Sequence, residues 1–501
     1  MTAVDFGSSK IAVAVGEKTQ NGVRIVFYRE KPATGIKNGE ITNELNVIKV
    51  LNPLVEEAVR ETGSDIEEVI VNISGKVLRS KEMTKPFIRP VDSQYINESE
   101  MERVERDFFK KDGIAEDETI YEAIPQSFNV DDVIGIPAME VIGMTGHKVE
   151  ATYRLFYGKS SILQRRKNVL SNCNLRLKSA ILSPIASARA VLTEQEMENG
   201  VVMADIGKGI TEIVIVKDNV VRNIGSIPFG GDSVTNDIKV VTDLSYKWAE
   251  EVKVRYGCCL EEYTPENKRL VLKGEDNITE GEVEFTLLSR VIEARMSEIF
   301  DAISYIIDNS GCSNKVPSGV VLTGGCCYLD NTLELAKAIL GRKVRIAAPR
   351  SCISGDSVTT SMDTNSSTAV GLVLEGFERK LSCASSKKSE PAPQPAYSAP
   401  KQVQVKEEEP VMGNIFGEDD EEEQERWKKE QDRRRIEQEK MKKEQKEREK
   451  QLEKKRKAEE KEKEKEREKE RQRQKNEGKS KGSSLFDGLF GKVFSDENNN
   501  A

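Results

Sequence analysis

The chain makes one turn twice. "VDFGSSKIAVAVGE" starts at Val4, and "ADIGKGITEIVIVKD" starts at Ala204. Asp5 and Asp205 thus stand two hundred residues apart in one setting. An apolar run precedes each; one apolar residue and a glycine follow, then small or polar residues and a β-rich run. The glycine two places after each Asp lets the backbone bend tightly. Small residues beyond it let backbone N–H groups approach a phosphate and hydrogen-bond it. A carboxylate at each strand end suits hydrated Mg2+, which keeps several waters and needs few protein ligands. A single D-x-G turn is an ordinary hairpin feature. Two, each opening a strand–turn–strand unit, constrain the chain far more. Two related domains facing each other could clamp one nucleoside triphosphate.

At 501 residues the chain is long enough for more than one domain. Over residues 1–380, strand-like runs ("IAVAV", "EVIVNI", "EIVIVK", "GVVLTG") alternate with helical patterns such as "LSRVIEARMSEIFDAISYIID". That alternation predicts an α/β fold. The chain begins almost inside its first strand, which leaves room for a short missing stretch ahead of it. Eight cysteines include the pairs Cys258–Cys259 and Cys326–Cys327, with no CxxC, so reduced cytosolic thiols packed as small core residues are expected. His147 is the one histidine and is expected at the surface. There is no signal peptide, and no apolar run is long enough to span a bilayer.

The composition then breaks. "SEPAPQPAYSAP" reads as an extended Pro-rich linker, assigned to 381–417. The net charge of −9 is modest, but 33% of residues are charged, and they crowd into 418–482. The sparse apolar residues there (Trp427, Ile436, Met441, Leu452) keep no heptad, which argues against a coiled coil. Glu-to-Lys and Glu-to-Arg pairs at i,i+4 favour a solitary charged helix, with disorder as the alternative. Fully helical, ~60 residues would reach about 90 Å. At 483–495 the chain turns apolar again. Leu485, Phe486, Leu489, Phe490, Val493 and Phe494 share one helical face. A core helix would show the same face, but this one follows a long charged segment and has no core of its own. It reads as an amphipathic helix on a membrane surface.

"GVVLTGGCCYLDN" adds a third element: a buried strand, then Gly324–Gly325, then a helix start. Paired glycines there let the backbone lie flat against an adenine or ribose, although a plain βα turn reads the same way. No GxxxxGK[ST] occurs, and "GKGITE" fails GxGxxG at its last position, so P-loop and dinucleotide-binding readings are poor.

With these elements in place, Asp5–Lys10 resembles the first phosphate motif of the actin-like ATPase superfamily. Asp205–Glu212 resembles the second, and Leu322–Gly325 its adenosine motif. "LSPIASARAVL" (Leu182–Leu192) and "SSTAVGLVLEG" (Ser366–Gly376) are similar to its two connecting helices. Finer matches are to the FtsA family of bacterial cell-division proteins. They are "GIKNGEI" (Gly35–Ile41), "IPQSFNVDD" (Ile124–Asp132), "VIGMTGHKVEA" (Val141–Ala151) and "GSIPFGGDSVTNDI" (Gly225–Ile238).

The resemblance implies an actin-like α/β fold over 1–380, with two lobes and a duplicated core. A small subdomain is inserted at 84–160; the second lobe spans 191–380, with an outer subdomain at about 246–299; a charged extension follows. It implies ATP and Mg2+ as cofactors. Asp5 and Asp205 would hold Mg2+ through water. Gly7, Ser8, Ser9 and Lys10 would cradle the phosphates, with Gly207, Lys208 and Gly209 doing so from the other lobe. Gly230, Gly231 and Asp232 would lie near ribose and phosphates, and Gly324 and Gly325 near the adenosine. Glu293 and Arg295 fall on the family's nucleoside-contacting helix, an ordinary ion pair being the alternative.

The implied partners are further copies in a filament, the FtsZ C-terminal peptide (on the outer subdomain near Trp248–Ile299), later division proteins and an anionic membrane surface. No nucleic acid is expected. The implied place is the cytoplasmic face of the inner membrane at the septum. Fast ATP hydrolysis is not required. Two departures stand out. Ser183 replaces an often acidic residue, which counts against a hydrolytic role for that position, and the charged segment exceeds the usual family linker. A sugar kinase of the same superfamily would need an Asp base in a substrate pocket, and the apolar tail would go unexplained. An Hsp70-like chaperone would need a β-rich peptide-binding domain after residue 380, where linker and charges follow instead.

Overall fold

The computed structural model describes residues 1–387, apart from 21, 76–77, 90–94, 266–267, 274–278, 351–362 and 384. The readings for 388–501, including the charged segment and the repeat Leu485–Phe494, lie outside the described residues.

Each Asp turn opens a five-stranded sheet, and the two sheets share one topology. In the first, the order is Arg176–Leu182, Glu68–Ile73, Thr2–Phe6, Lys10–Thr19, Gly22–Pro32. In the second it is Val344–Ile346, Val320–Thr323, Val201–Ile206, Thr211–Lys217, Val220–Ile227. In both, the Asp-bearing strand pairs antiparallel with the strand after its turn and parallel with a strand that arrives by a crossover. The central strand "TAVDF" is buried along its whole length. Continuous apolar strands are what a sheet covered on both faces requires.

Two crossing helices, Ser183–Val191 and Ser367–Glu378, lie between the sheets. They share a core with Ala12 and Ala14 of the first sheet and Met203 and Val214 of the second. The crossing is tight because its residues are small. A Cβ on Gly371 would lie 1.8 Å from the carbonyl oxygen of Ala186. Outer helices complete the layers. Glu44–Thr62 buries Val47, Leu51, Leu54 and Ala58, one face at helical spacing. The Asn43 side chain caps it by accepting the N–H of Asn46 at 3.1 Å, and Gly63 ends it in the left-handed region. On the second lobe, Phe285–Asn309 buries Leu288, Ile292, Met296, Ile299 and Ile303 in the same way.

A separate four-stranded antiparallel sheet is built from Val133–Ile136, Glu118–Val130, Lys148–Lys159 and Arg79–Ile88. It occupies the stretch where the insertion was expected and has its own core, in which Phe108 stacks on Tyr153 with centroids 4.2 Å apart. The outer part of the second lobe carries the helix Tyr246–Tyr256 and the strand pair Arg269–Lys273 and Thr279–Glu284. Ser385–Lys387, read from sequence as linker, instead pairs antiparallel with Ser64–Ile66. Among the described residues no helix is long and apolar enough to cross a membrane.

The helix crossing yields a prediction. Gly371→Ala must push the two helices apart and should cost about 3 kcal/mol of stability. Denaturant unfolding measures it, and a loss within experimental error would show that the crossing is not a tight constraint.

Candidate functional site

The two turns are built alike. Gly7 N–H donates to the carbonyl of Lys10 at 3.0 Å, and Gly207 N–H donates to that of Ile210 at 3.1 Å. Both face one cavity of about 430 Å3, a size typical of small-molecule sites. Asp5, Gly7, Ser8, Ser9 and Lys10 line it from the first lobe, and Asp205, Gly207, Lys208 and Gly209 from the second. Gly231, Gly324 and Gly325 line it as well. Gly324 has φ +94, and a Cβ there would lie 2.4 Å from Asp205 Oδ1. Only a glycine brings this backbone so close to the carboxylate.

Asp205 is held by both crossing helices. Ser187 Oγ donates to its Oδ2 at 2.9 Å, and Thr368 Oγ1 donates to the same oxygen at 3.4 Å. On the first lobe, Phe6 N–H donates to Asn72 Oδ1 at 2.8 Å. Asn72 in turn donates to Ser183 Oγ at 3.2 Å, and Ser183 Oγ donates to the carbonyl of Ile73 at 3.2 Å. The family's often acidic position is thus filled by a hydroxyl that ties the helix start to the sheet.

The site is acidic, and its carboxyls are buried. Burial pushes the Asp5 carboxyl up to about 7; Lys10 opposes the rise and Asp205 adds to it. Burial raises Asp205 too, against its hydrogen bonds from Ser187 and Thr368. Lys10 Nζ donates to Tyr28 Oη at 2.8 Å and pairs with Glu30, so the expected phosphate-binding cation is held at the cavity wall by its neighbours on the sheet. Lys208 lies over the Tyr246 ring, 5.8 Å from its centroid.

The structure does not bring every expected residue to the wall. Gly230 and Asp232 stand just behind it, at the start of the helix Gly231–Thr242. There Gly231 N–H and Asp232 N–H donate to the carbonyls of Gly207 and Lys208 at 3.0 and 2.7 Å. They hold the second turn in place, while the Asp232 carboxylate accepts from Tyr246 Oη. Glu293 and Arg295 are not among the lining residues. Glu293 accepts the N–H of Glu261 at 2.9 Å. Arg295 makes a two-point pair with Asp237 at 2.5 and 3.0 Å and lies over the Phe229 ring. Arg295 thus forms an ion pair with Asp237, not with Glu293, whose carboxylate accepts a backbone N–H instead.

The family model described as "Cell division protein FtsA" matches residues 202–371. The chain is 30% identical over 381 residues to the cell division protein FtsA of Pseudomonas aeruginosa, covering 76% of this chain and 90% of that protein. It belongs to the FtsA family of cell division proteins. FtsA of Neisseria meningitidis serogroup B is 28% identical over 376 residues, with 74% and 89% covered. Among solved structures, the chain is similar to the PilM–PilN type IV pilus biogenesis complex, with a TM-score of 0.55 and 15% identity over 75% of this chain and 98% of that one. The architecture is the actin-like ATPase fold, as the sequence reading expected.

This FtsA-family site holds residues that the sequence reading passed over. Glu212 is Asp205's cross-strand partner and lines the cavity, buried. Its Oε2 accepts from Ser74 Oγ of the other lobe at 3.0 Å, and burial pushes its carboxyl up to about 8, with Asp205 adding to the rise. The hairpin register that sets Glu212 opposite Asp205 was the available signal. Lys253 and Glu250 also line the cavity. Lys253 Nζ donates to Glu250 at 2.7 Å, to Thr235 Oγ1 at 2.8 Å and to the Gly231 carbonyl at 3.0 Å. In the sequence they sit in an ordinary charged helix, "AEEVKVRY", with nothing to mark them. The vicinal cysteines are buried as expected, but Cys326 also faces the cavity. His147 is exposed.

Glu212 sets a pH dependence. Its folded-state pKa, about 8, exceeds the unfolded value of 4.5. Between these values the folded chain holds a proton that the unfolded chain has released, so stability falls as pH rises across that window. The Glu212 share is on the order of a few kcal/mol. Glu212→Gln should flatten the slope of unfolding free energy between pH 6 and pH 8. Denaturant melts of parent and variant at both values decide it, and parallel slopes would refute it.

Proposed function

We propose that this FtsA-family chain binds Mg·ATP in the cleft between its lobes, assembles into filaments, and tethers FtsZ to the cytoplasmic membrane at the division septum, where later division proteins join it. The carrying observation is the pair of like-built Asp turns that face one cavity from two topologically identical sheets. The cavity suits the ligand in size and in division. Gly7–Lys10 and Gly207–Gly209 offer backbone donors and two lysines for the phosphates. Gly324–Gly325, Tyr328 and the Glu250–Lys253 pair line the same cavity for the nucleoside. Asp5 and Asp205 each raise the cost of the other's charge or lose solvation, so a hydrated dication between them would relieve both. Mg2+ there would neutralise phosphate charge, and the two carboxylates would orient its waters.

The tethering part rests on the family and on two further features. The outer part of the second lobe exposes Val254, Tyr263 and Val271, apolar side chains that a peptide such as the FtsZ C-terminus could cover. The apolar repeat Leu485–Phe494 supplies a membrane helix in sequence. Six half-buried apolar side chains give roughly 1 kcal/mol each. Ordering the segment offsets much of that. One tail therefore binds weakly, and a filament carrying many binds firmly through effective concentration.

Two experiments test this. Asp205→Ala should weaken Mg·ATP binding by about 1.5–3 kcal/mol and abolish nucleotide-dependent assembly. Unchanged affinity in a direct titration would sink the phosphate-clamp reading. Phe490→Glu should release the protein from anionic liposomes in co-sedimentation, with ATP binding unchanged. A variant that pellets like its parent would remove the tail as the anchor.

A further inference from the structure

We infer that the hairpin Ile36–Ile41 reads the terminal phosphate of the bound nucleotide, and that Arg166 is its positioning residue. This rests on the ATP reading above and assigns the part of the cleft that tells a triphosphate from a diphosphate.

The hairpin pairs Ile36–Lys37 with Glu40–Ile41, and its turn, Asn38–Gly39, has φ of +50 and +75. Gly39 lines the cavity. The turn touches both phosphate turns at once. Gly39 N–H donates to Ser8 Oγ of the first at 2.8 Å. Across the cleft, Asn38 lies against the second turn: a Cβ on Gly209 would stand 3.0 Å from the Cα, N and Oδ1 of Asn38. A Cβ on Gly39 would stand 2.7 Å from Ser74 Oγ, the hydroxyl that donates to Glu212 of the other lobe. The turn's neighbours are therefore residues of the phosphate turns and of the Ser74–Glu212 bridge, not the Gly324–Gly325 and Lys253 side where the nucleoside is placed. Of a nucleotide's groups, the phosphate farthest from the nucleoside is the one within reach of this turn.

Arg166 holds the turn from behind. It is 0% exposed. Its Nη2 donates to the Gly39 carbonyl at 3.1 Å, its Nη1 to the Ile162 carbonyl of its own helix at 3.1 Å, and its guanidinium lies 5.8 Å from the Phe6 ring. Arg165 Nη1 donates to the Ile41 carbonyl at 2.5 Å, so adjacent arginines of one helix clamp the hairpin at its turn and at its second strand. A buried guanidinium behind the turn also places positive charge next to Asp5 and Glu212, on the phosphate side. Ser8 and Gly209 already stand against the Asn38–Gly39 turn, so a terminal phosphate would be the turn's third contact. A diphosphate leaves the turn without its third contact.

The test is equilibrium binding of a non-hydrolysable ATP analogue and of ADP, each with Mg2+, to the full chain and two variants. Arg166→Lys keeps the charge and loses the planar two-donor grip. Arg165→Ala removes the second clamp on the hairpin and lies outside the cavity lining, so it carries the test if Arg166→Lys does not fold. Each variant should lower the ratio of ATP-analogue to ADP affinity by about tenfold, with ADP affinity held within about threefold. A parallel loss for both nucleotides would make Arg166 a structural residue only and overturn the inference, as would an unchanged ratio. A parent chain that binds neither nucleotide would overturn the ATP reading itself and this inference with it.

Discussion

Two hydroxyls hold the carboxylate of Asp205, and each comes from a different crossing helix. Ser187 belongs to Ser183–Val191 and Thr368 to Ser367–Glu378. The two hydroxyl oxygens stand 2.9 Å apart. The strand bearing Asp205 lies in the second sheet, while the helices pack on both sheets. A single carboxylate is thereby fixed by the two elements about which the lobes can turn. Any change in its charge environment, such as a phosphate or a cation, acts directly on the helix crossing. The crossing is tight enough at Gly371 that it shifts as a unit rather than deforming by degrees.

That geometry accounts for the acidity of the cleft. Asp5, Asp205 and Glu212 face one another across a low-dielectric space, and burial raises each above its usual range. A protein shaped by stability alone would not bring three carboxyls together this way. Lys10 and Arg166 supply part of the missing charge, but Lys10 is shared with Glu30, and burial lowers Arg166 to about 10. The cost is removed when a polyvalent ligand brings its own cation. Under the proposed function, Mg·ATP would offset that cost with its own cation.

Much of this was legible in the sequence, for a physical reason. The Asp turns could be read because a strand end, a carboxylate and a glycine must be contiguous for the turn to form, whereas the crossing helices were read only through their resemblance to the family's two connecting helices. Glu212 was harder, since a buried carboxylate reads like any other Glu until register puts it opposite Asp205. Glu250 and Lys253 were invisible: a charged i,i+3 pair on a helix is normally solvated, and only tertiary packing against Gly231 turns it inward. Glu293 and Arg295 show the converse. Helical position suggested a ligand contact, but Asp237 and the N–H of Glu261 offered nearer partners, and a two-point Arg–carboxylate pair wins over a more distant site. The short strand at Ser385–Lys387 was missed because a Ser-rich stretch carries no alternation, and its order comes from backbone pairing with Ser64–Ile66.

The inserted sheet is coupled to the same machinery by charge as well as by Tyr121 and Phe156, which pack into the core of the crossing helices. Arg379, just past the second crossing helix, pairs with Glu375 on that helix at 2.9 Å and with Glu122 on the inserted sheet at 3.0 Å, while Arg189 of the first crossing helix reaches Glu375 at 2.9 Å. Glu375 is 6% exposed, and Arg379 and Glu122 are also largely covered, so the network is screened little by salt. Losing one partner would strand a charge out of water, which makes the network an all-or-none contact. A turn of the crossing helices therefore either carries the inserted sheet with it or breaks the pair. At the same end, on the strand next to Glu122, that sheet runs straight into the helix of Arg165 and Arg166 through Lys148–Lys159. Through that one end it is tied both to the crossing that holds Asp205 and to the helix that clamps the hairpin facing the cavity.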